Sequence, residues 1–295
     1  MRYSFIFFII TITSSNVSSQ TILPSYSAVH HKKAVNWSPS DESSLIAWWD
    51  ASDVSTLTGN PVVTQITSKK GTFTFTKSGT PTRIIINSLT AIDFIRSSNE
   101  KMNTNILGLN FGISDGNMII VGAVVIDAVS HVKDAIWSIE DANGSNNDIH
   151  LRAGNSSQFN GAFETEGLGL SGNNLAGGAT QNFINVPANG FEGNIIHSSI
   201  MDADNDDIYG RMNGLEKINI SNEYLTNVEM SNSIFYIHSN RSGNRELDGK
   251  FMELMIFNSN DTNLAIRAEG YLAHKWGLEG DLDSNHLYKG SAPTN

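Results

Sequence analysis

Residues Gly249–Pro293 read GKFMELMIFNSNDTNLAIRAEGYLAHKWGLEGDLDSNHLYKGSAP. The first part, Phe251–Phe257, is a short run of β formers. Asp261 or Thr262 then offers an N-cap. Leu264, Ala265, Ala268, Tyr271, Leu272 and Trp276 follow at three- and four-residue spacing, which predicts a helix over 262–276 with one apolar stripe. Gly277 is the expected C-terminal stop. Gly270 inside the helix costs about 1 kcal/mol relative to alanine, which points to a close approach of the helix to a sheet beneath it. His274 and Lys275 read as the polar side of the helix.

Upstream, from Leu45 to Phe257, the pattern is short runs of β formers broken by Gly, Asn, Asp and Pro. The expected strands are Leu45–Trp49, Phe73–Lys77, Arg83–Ile86, Ala91–Ile95, Met118–Ile126, Ala135–Ile139, Ile149–Arg152, Ile195–Met201, Ile208–Met212, Ile234–His238 and Phe251–Phe257. Met118–Ile126 is the longest apolar run and the expected central strand. Asn213-Gly214, between Ile208–Met212 and Leu215–Ile220, marks a type I′ hairpin, because both central residues of that turn need positive φ. Gly154–Gly193 is rich in Gly and Asn and reads as a long surface excursion, the kind of segment where binding residues collect. Many strands with no helical periodicity between them give an all-β class: an antiparallel β-sandwich or jelly roll with one C-terminal helix.

Composition agrees. The chain of 295 residues carries 17% charged and 39% hydrophobic side chains, enough for a packed core. Its 19 basic and 30 acidic side chains leave a formal charge of -11, which repels phosphate backbones and disfavours a nucleic-acid partner. With no cysteine there is no disulfide framework, no thiolate zinc site and no cysteine nucleophile. Asn36, Asn143, Asn155, Asn219, Asn240 and Asn260 each begin an N-x-S/T triplet, which matters only for a eukaryotic source.

The Gly249–Pro293 segment resembles the closing motif of laminin-G-like jelly-roll domains in the concanavalin A-like lectin/glucanase superfamily, of the type found in phage virion and environmental bacterial surface proteins. Glu269-Gly270-Tyr271-Leu272-Ala273-His274-Lys275-Trp276-Gly277-Leu278 matches the helix of that motif. His286, Tyr288, Lys289, Ala292 and Pro293 match its tail, with Leu287 where proline is usual. Leu45–Thr56, LIAWWDASDVST, looks like the first strand and turn of those domains, and Ala91–Phe94 like a later one. Their W-x-D-x-S-G-x-G loop is degenerate here, replaced by Gln65–Gly71. The resemblance implies the fold and, through it, a lectin-like domain. It places Trp48, Trp49 and Trp276 in the core.

Glycoside hydrolases of this architecture carry E-x-D-x-E or E-x-D-x-x-E on one strand, so that alternation sets the carboxylates on one face. Glu246-Leu247-Asp248 leads to Glu253 two positions late, with Gly249 breaking the strand. Glu140-Asp141 has no third carboxylate in register. The expectation is that the protein is not an enzyme. Oxygen ligands at alternate positions suit Ca²⁺, and Asp202, Asp204 and Asp206 in the run DADNDD offer them, against the plainer reading of an acidic hairpin turn. Sugar C–H faces stack on aromatic rings, so Trp137, Phe159, Phe163 and Phe183 are the expected glycan-binding platforms, with Phe191 a further candidate.

The N-terminal segment remains. Met1–Gln20 carries Arg2, an apolar run Phe5–Ile12 and a small polar stretch Ser14–Ser19. It reads either as a secretory signal cleaved after Ser19 or as an apolar β-type arm. Thr21–Ser40, with Pro24, Pro39 and His30-His31, reads as a linker. The expected organisation is therefore residues 1–40 as arm or signal plus linker and 41–295 as the jelly-roll domain. The expected function is a virion surface protein, as decoration, fibre or tail component, displaying a lectin-like domain for glycan or host adhesion. Its arm would dock on a capsid or tail protein by β-augmentation, within a homo-oligomeric assembly. The alternative is a secreted bacterial carbohydrate-binding or adhesion protein; a glycoside hydrolase is a third.

Overall fold

The computed structural model describes residues 36–105, 117–128, 134–141, 148–154, 167–171, 182–185, 192–205, 207–221, 233–239 and 246–295. Among the described residues seventeen strands and one α-helix are formed: β1 Leu45–Asp50, β2 Leu57–Thr58, β3 Gln65–Thr67, β4 Thr74–Ser78, β5 Thr82–Ile86, β6 Leu89–Phe94, β7 Lys101–Asn105, β8 Met118–Ala128, β9 Asp134–Asp141, β10 Asp148–Gly154, β11 Gly167–Ser171, β12 Asn182–Asn185, β13 Gly193–Asp202, β14 Asp207–Met212, β15 Leu215–Ser221, β16 Ser233–Ile237, β17 Asp248–Phe257 and α1 Thr262–Trp276.

They build two antiparallel sheets. The back sheet runs β15-β14-β13-β8-β17-β6-β5, with β1 also paired to β17, and the front sheet runs β12-β11-β10-β9-β16-β7-β4-β3-β2. Alternation sorts the strands. In β17, Phe251, Leu254 and Ile256 enter the core between the sheets, with Trp49, Phe75, Trp137 and Phe235. Met252, Met255 and Phe257 turn to the other side and pack with Trp48, Leu264, Ala268, Leu272 and Trp276. The back sheet is thus apolar on both faces, which is why β8, β13 and β17 read as continuous hydrophobic runs. A bulge in β17 between Phe251 and Glu253 puts Met252 and Glu253 on the same side, toward the helix.

The helix has the expected ends. The Asp261 side chain accepts from the Asn263 N–H, and Gly277 closes the C-terminus in the left-handed conformation at φ 68°. The Asn213-Gly214 hairpin also forms, with φ of 49° and 80°.

Three expectations need correction. A Cβ on Gly270 would lie 2.4 Å from Tyr288 Cβ, so the close approach is made by the C-terminal tail crossing the helix and not by a sheet. The domain starts before residue 41: Trp37 is buried, stands edge-on to Tyr271 and donates its backbone N–H to Pro293 O at 3.0 Å. An apolar indole and a strand-like bridge from Asn36 to Thr294 outweigh the linker-like composition there. The segment 154–193 is not all excursion, because β11 and β12 within it extend the front sheet from β10. Residues 1–35 lie outside the described residues.

Candidate functional site

The outward face of the back sheet is occupied. The helix covers it, and two charged clusters lie between the helix and the sheet, the first opening to solvent at Lys69. Glu253 is fully buried and accepts from Trp48 Nε1 at 2.6 Å, Trp276 Nε1 at 2.9 Å and Lys275 Nζ at 2.6 Å. Lys275 also reaches Asp50 at 2.7 Å, and Lys69 bridges Asp50 and Asp53 at 3.1 Å each. Burial raises the Glu253 carboxyl above its ordinary range against the pull of Lys275. Burial also opposes ionisation of Asp50, but Lys275, Ser52 and Lys69 together hold it below the ordinary range. In the second cluster Glu269 accepts from Arg211 Nε at 2.9 Å, lies 3.1 Å from His286 Nε2 and is hydrogen-bonded to Ser198. The first cluster ties the helix to the sheet, and the second ties helix and tail to it. Lys275, expected on a polar helix face, instead neutralises two buried carboxylates. Glu253, one half of the hydrolase candidate pair, is consumed in this way.

Of the expected glycan platforms, Trp137 is placed in the core. It is fully buried in β9 and stands edge-on to Phe235 at 5.9 Å, so it presents no ring face to a sugar. Its position is inward because it pairs with Leu151 and Ile237, both core residues. Phe159, Phe163 and Phe191 lie outside the described residues. Phe183 is in β12, opposite Gly169.

At the acidic turn, Asp202 accepts from the backbone N–H groups of Asp204 and Asn205 and from the side-chain amides of Asn205 and Asn260. Asp204 accepts from the amides of Asn117 at 2.7 Å and Asn260 at 3.2 Å. Burial opposes ionisation of Asp202, and these donors overcome it and hold its carboxyl low. Asp206 is outside the described residues. Among the described residues no group of three His, Asp or Glu side chains is set to hold a metal ion.

The outward face of the front sheet is different in character. Thr58 pairs with Gln65, Gln65 with Thr76, Thr76 with Asn103, Asn103 with Tyr236, and Tyr236 with Ser138. One straight ladder of polar side chains therefore crosses β2, β3, β4, β7, β16 and β9. At strand spacing it spans about 24 Å. Their inward neighbours Leu57, Ile66, Phe75, Met102, Phe235, Ile237 and Trp137 are all core. Thr58, Gln65 and Thr76 are exposed, Asn103 is half-buried, and Tyr236 and Ser138 are buried. Ser138 donates to Ser239 O at 3.1 Å. Lys101 Nζ sits 5.8 Å from the centroid of the Tyr236 ring. The accessible part, Thr58, Gln65, Thr76 and Asn103, presents hydroxyl and amide groups in a fixed plane, suited to multiple hydrogen bonds with a polyhydroxylated ligand.

The same architecture occurs in known proteins. The binding domain of Paraclostridial Mosquitocidal Protein 1 aligns at TM-score 0.53 with 10% identity, over 77% of this chain and 51% of that one. Trypanosoma rangeli sialidase, solved with the inhibitor DANA, aligns at TM-score 0.53 with 9% identity, over 79% and 34%. A botulinum neurotoxin type C structure, from work on its dependence on two ganglioside molecules for cell entry, aligns at TM-score 0.50 with 10% identity, over 76% and 50%. The shared property is the fold. This chain is an antiparallel β-sandwich. It spans about half the length of the two toxin chains and about a third of the sialidase. No family model matches it, and no curated protein matches it in sequence.

Proposed function

We propose that the protein is a non-enzymatic glycan-binding module, and that it binds through the outward face of the front sheet. The observation that carries this reading is the cross-strand ladder Thr58–Gln65–Thr76–Asn103–Tyr236–Ser138, set opposite a back sheet whose own outer face is closed by α1. The β-sandwich neighbours support it: one is a sialidase, one a toxin that uses gangliosides for entry, one a binding domain. The buried state of Glu253 supports a non-catalytic reading, since a carboxylate held by two indoles and a lysine is not available to a glycosidic bond. A glycan array probed with the wild-type protein and with a Thr76→Ala/Asn103→Ala variant tests it. Binding by the wild type and its loss in a variant that melts at the same temperature is expected; equal binding by both contradicts it.

In this reading the module is displayed on a virion surface, with residues 1–35 as the arm that meets a capsid or tail protein in a homo-oligomeric assembly. The apolar run Phe5–Ile12 and the resemblance to phage surface domains support this. A secreted adhesion protein is the alternative, favoured by the small polar stretch ending at Ser19. The mass of the N-terminal peptide of the native protein separates them: a start at Met1 or Arg2 fits the arm, and a start at Gln20 fits export.

A further inference from the structure

We propose that the ladder takes an uncharged polysaccharide chain, laid across the strands and read through hydroxyl and amide hydrogen bonds. This rests on the glycan-binding reading above and names the class of ligand. Three observations carry it.

The first is charge. The chain has 30 acidic and 19 basic side chains, yet the six ladder residues carry none. Thr67 and Thr74 continue the polar face on β3 and β4, their hydroxyls 3.5 Å apart, and Lys101 beside the Tyr236 ring is a single cation at its margin and not a fork for an anion. A net charge of -11 repels a polyanion at long range. The second is the state of the arginines. Carboxylated or sulfated sugars are recognised best by a guanidinium fork. Each arginine whose side chain is described is already committed: Arg83 to Leu57 O, Arg96 to Asp134 and Glu246 O, Arg211 to Glu269 and Gly214 O, and Arg267 to Glu42. The third is shape. The exposed part of the ladder, on β2, β3, β4 and β7, is a strip about 14 Å long, which engages successive units of a chain better than one terminal sugar.

Titration calorimetry with soluble neutral polysaccharides (mixed-linkage β-glucan, xylan, arabinan and galactomannan) and with charged probes (polygalacturonate, heparin and sialyllactose), at low and high salt, tests the inference. The expected result is binding of a neutral polysaccharide that is insensitive to salt. It should weaken by about tenfold or more in Gln65→Ala or Thr76→Ala/Asn103→Ala. Those residues are exposed or half-buried, and the melting temperature of each variant checks that the fold is kept. Salt-sensitive binding of only the charged probes overturns the uncharged class while leaving the glycan-binding reading in place. Neutral binding that the variants do not alter overturns the ladder as its site. A folded protein that binds neither class overturns the glycan-binding reading itself.

Discussion

Asp50 and Glu253 stand directly opposite each other in the β1–β17 pairing, two buried carboxylates with Lys275 Nζ 2.7 Å from one and 2.6 Å from the other. Like charges facing across a strand pair are destabilising. Here one lysine from α1, placed by the bulge that turns Glu253 toward the helix, neutralises both. The helix therefore does more than cover apolar surface. It carries the counter-ion that lets the back sheet close.

Removing that counter-ion should be costly. Lys275→Met keeps the apolar stem and leaves two buried carboxylates with Lys69 alone. The expected loss is about 3–5 kcal/mol, read by urea unfolding. Adding Glu253→Gln should recover part of it. A loss below about 1 kcal/mol for Lys275→Met would contradict the account of the network.

Gly270 offers a test with the opposite sign from helix propensity. In an exposed helix, Gly→Ala gains about 1 kcal/mol. Here the added methyl would meet Tyr288, with its Cβ 2.4 Å away and its ring carbons within 2.8 Å. Gly270→Ala is expected to lower the melting temperature; a rise would mean the tail does not cross the helix at this point.

Two histidines make the fold sensitive to acid. His197 and His238 are fully buried, and among the described residues neither ring has a side-chain hydrogen-bond partner. His238 stacks on Phe94 at 4.5 Å. Burial pushes both from 6.5 down to about 3. Between those values the unfolded chain binds protons that the folded chain refuses, so stability falls as pH falls through that window, at about 1.4 kcal/mol per unit for each histidine. Glu253, raised by burial, acts in the opposite sense, so substitution is needed to isolate the effect. His197→Leu and His238→Leu should each flatten the slope of melting temperature against pH over the acid range, as scanning calorimetry reads it. An unchanged slope would place the proton uptake elsewhere.

The acidic turn predicts a result for metal removal. Asp202 already accepts four N–H donors, and the Asn260 amide bridges Asp202 and Asp204. Chelator should leave the melting temperature unchanged, whereas Asn260→Ala should lower stability by about 1–3 kcal/mol by stripping donors from both carboxylates. A rise of several degrees on adding calcium would return the cluster to the metal reading.

What could be read from the residues follows from where each side chain is solvated. The strands β8, β13 and β17 are buried on both faces and showed as apolar runs; α1 showed through its stripe and its caps. The strand β7, Lys101–Asn105, did not show, because its outward positions are polar and only Met102 and Thr104 are buried beneath them. β3 is short and alternates in the same way, with Ile66 as its one core residue. The ladder joins β3 and β7 to β4, β16 and β9, whose apolar residues do show in the sequence, so part of the candidate site is legible and its cross-strand continuity is not. Trp137 is ambiguous in the sequence for a related reason: which face of β9 is inward depends on its pairing with β10 and β16. The Asp50–Lys275–Glu253 cluster joins residues far apart along the chain, and no local pattern announces it.

The most direct test is amide hydrogen exchange of the full chain with and without a bound neutral polysaccharide. The account predicts slowed exchange confined to Leu57–Thr58, Gln65–Thr67, Thr74–Ser78 and Lys101–Asn105, the accessible strands of the ladder. Protection over α1 and the tail, with the front sheet unchanged, would contradict it.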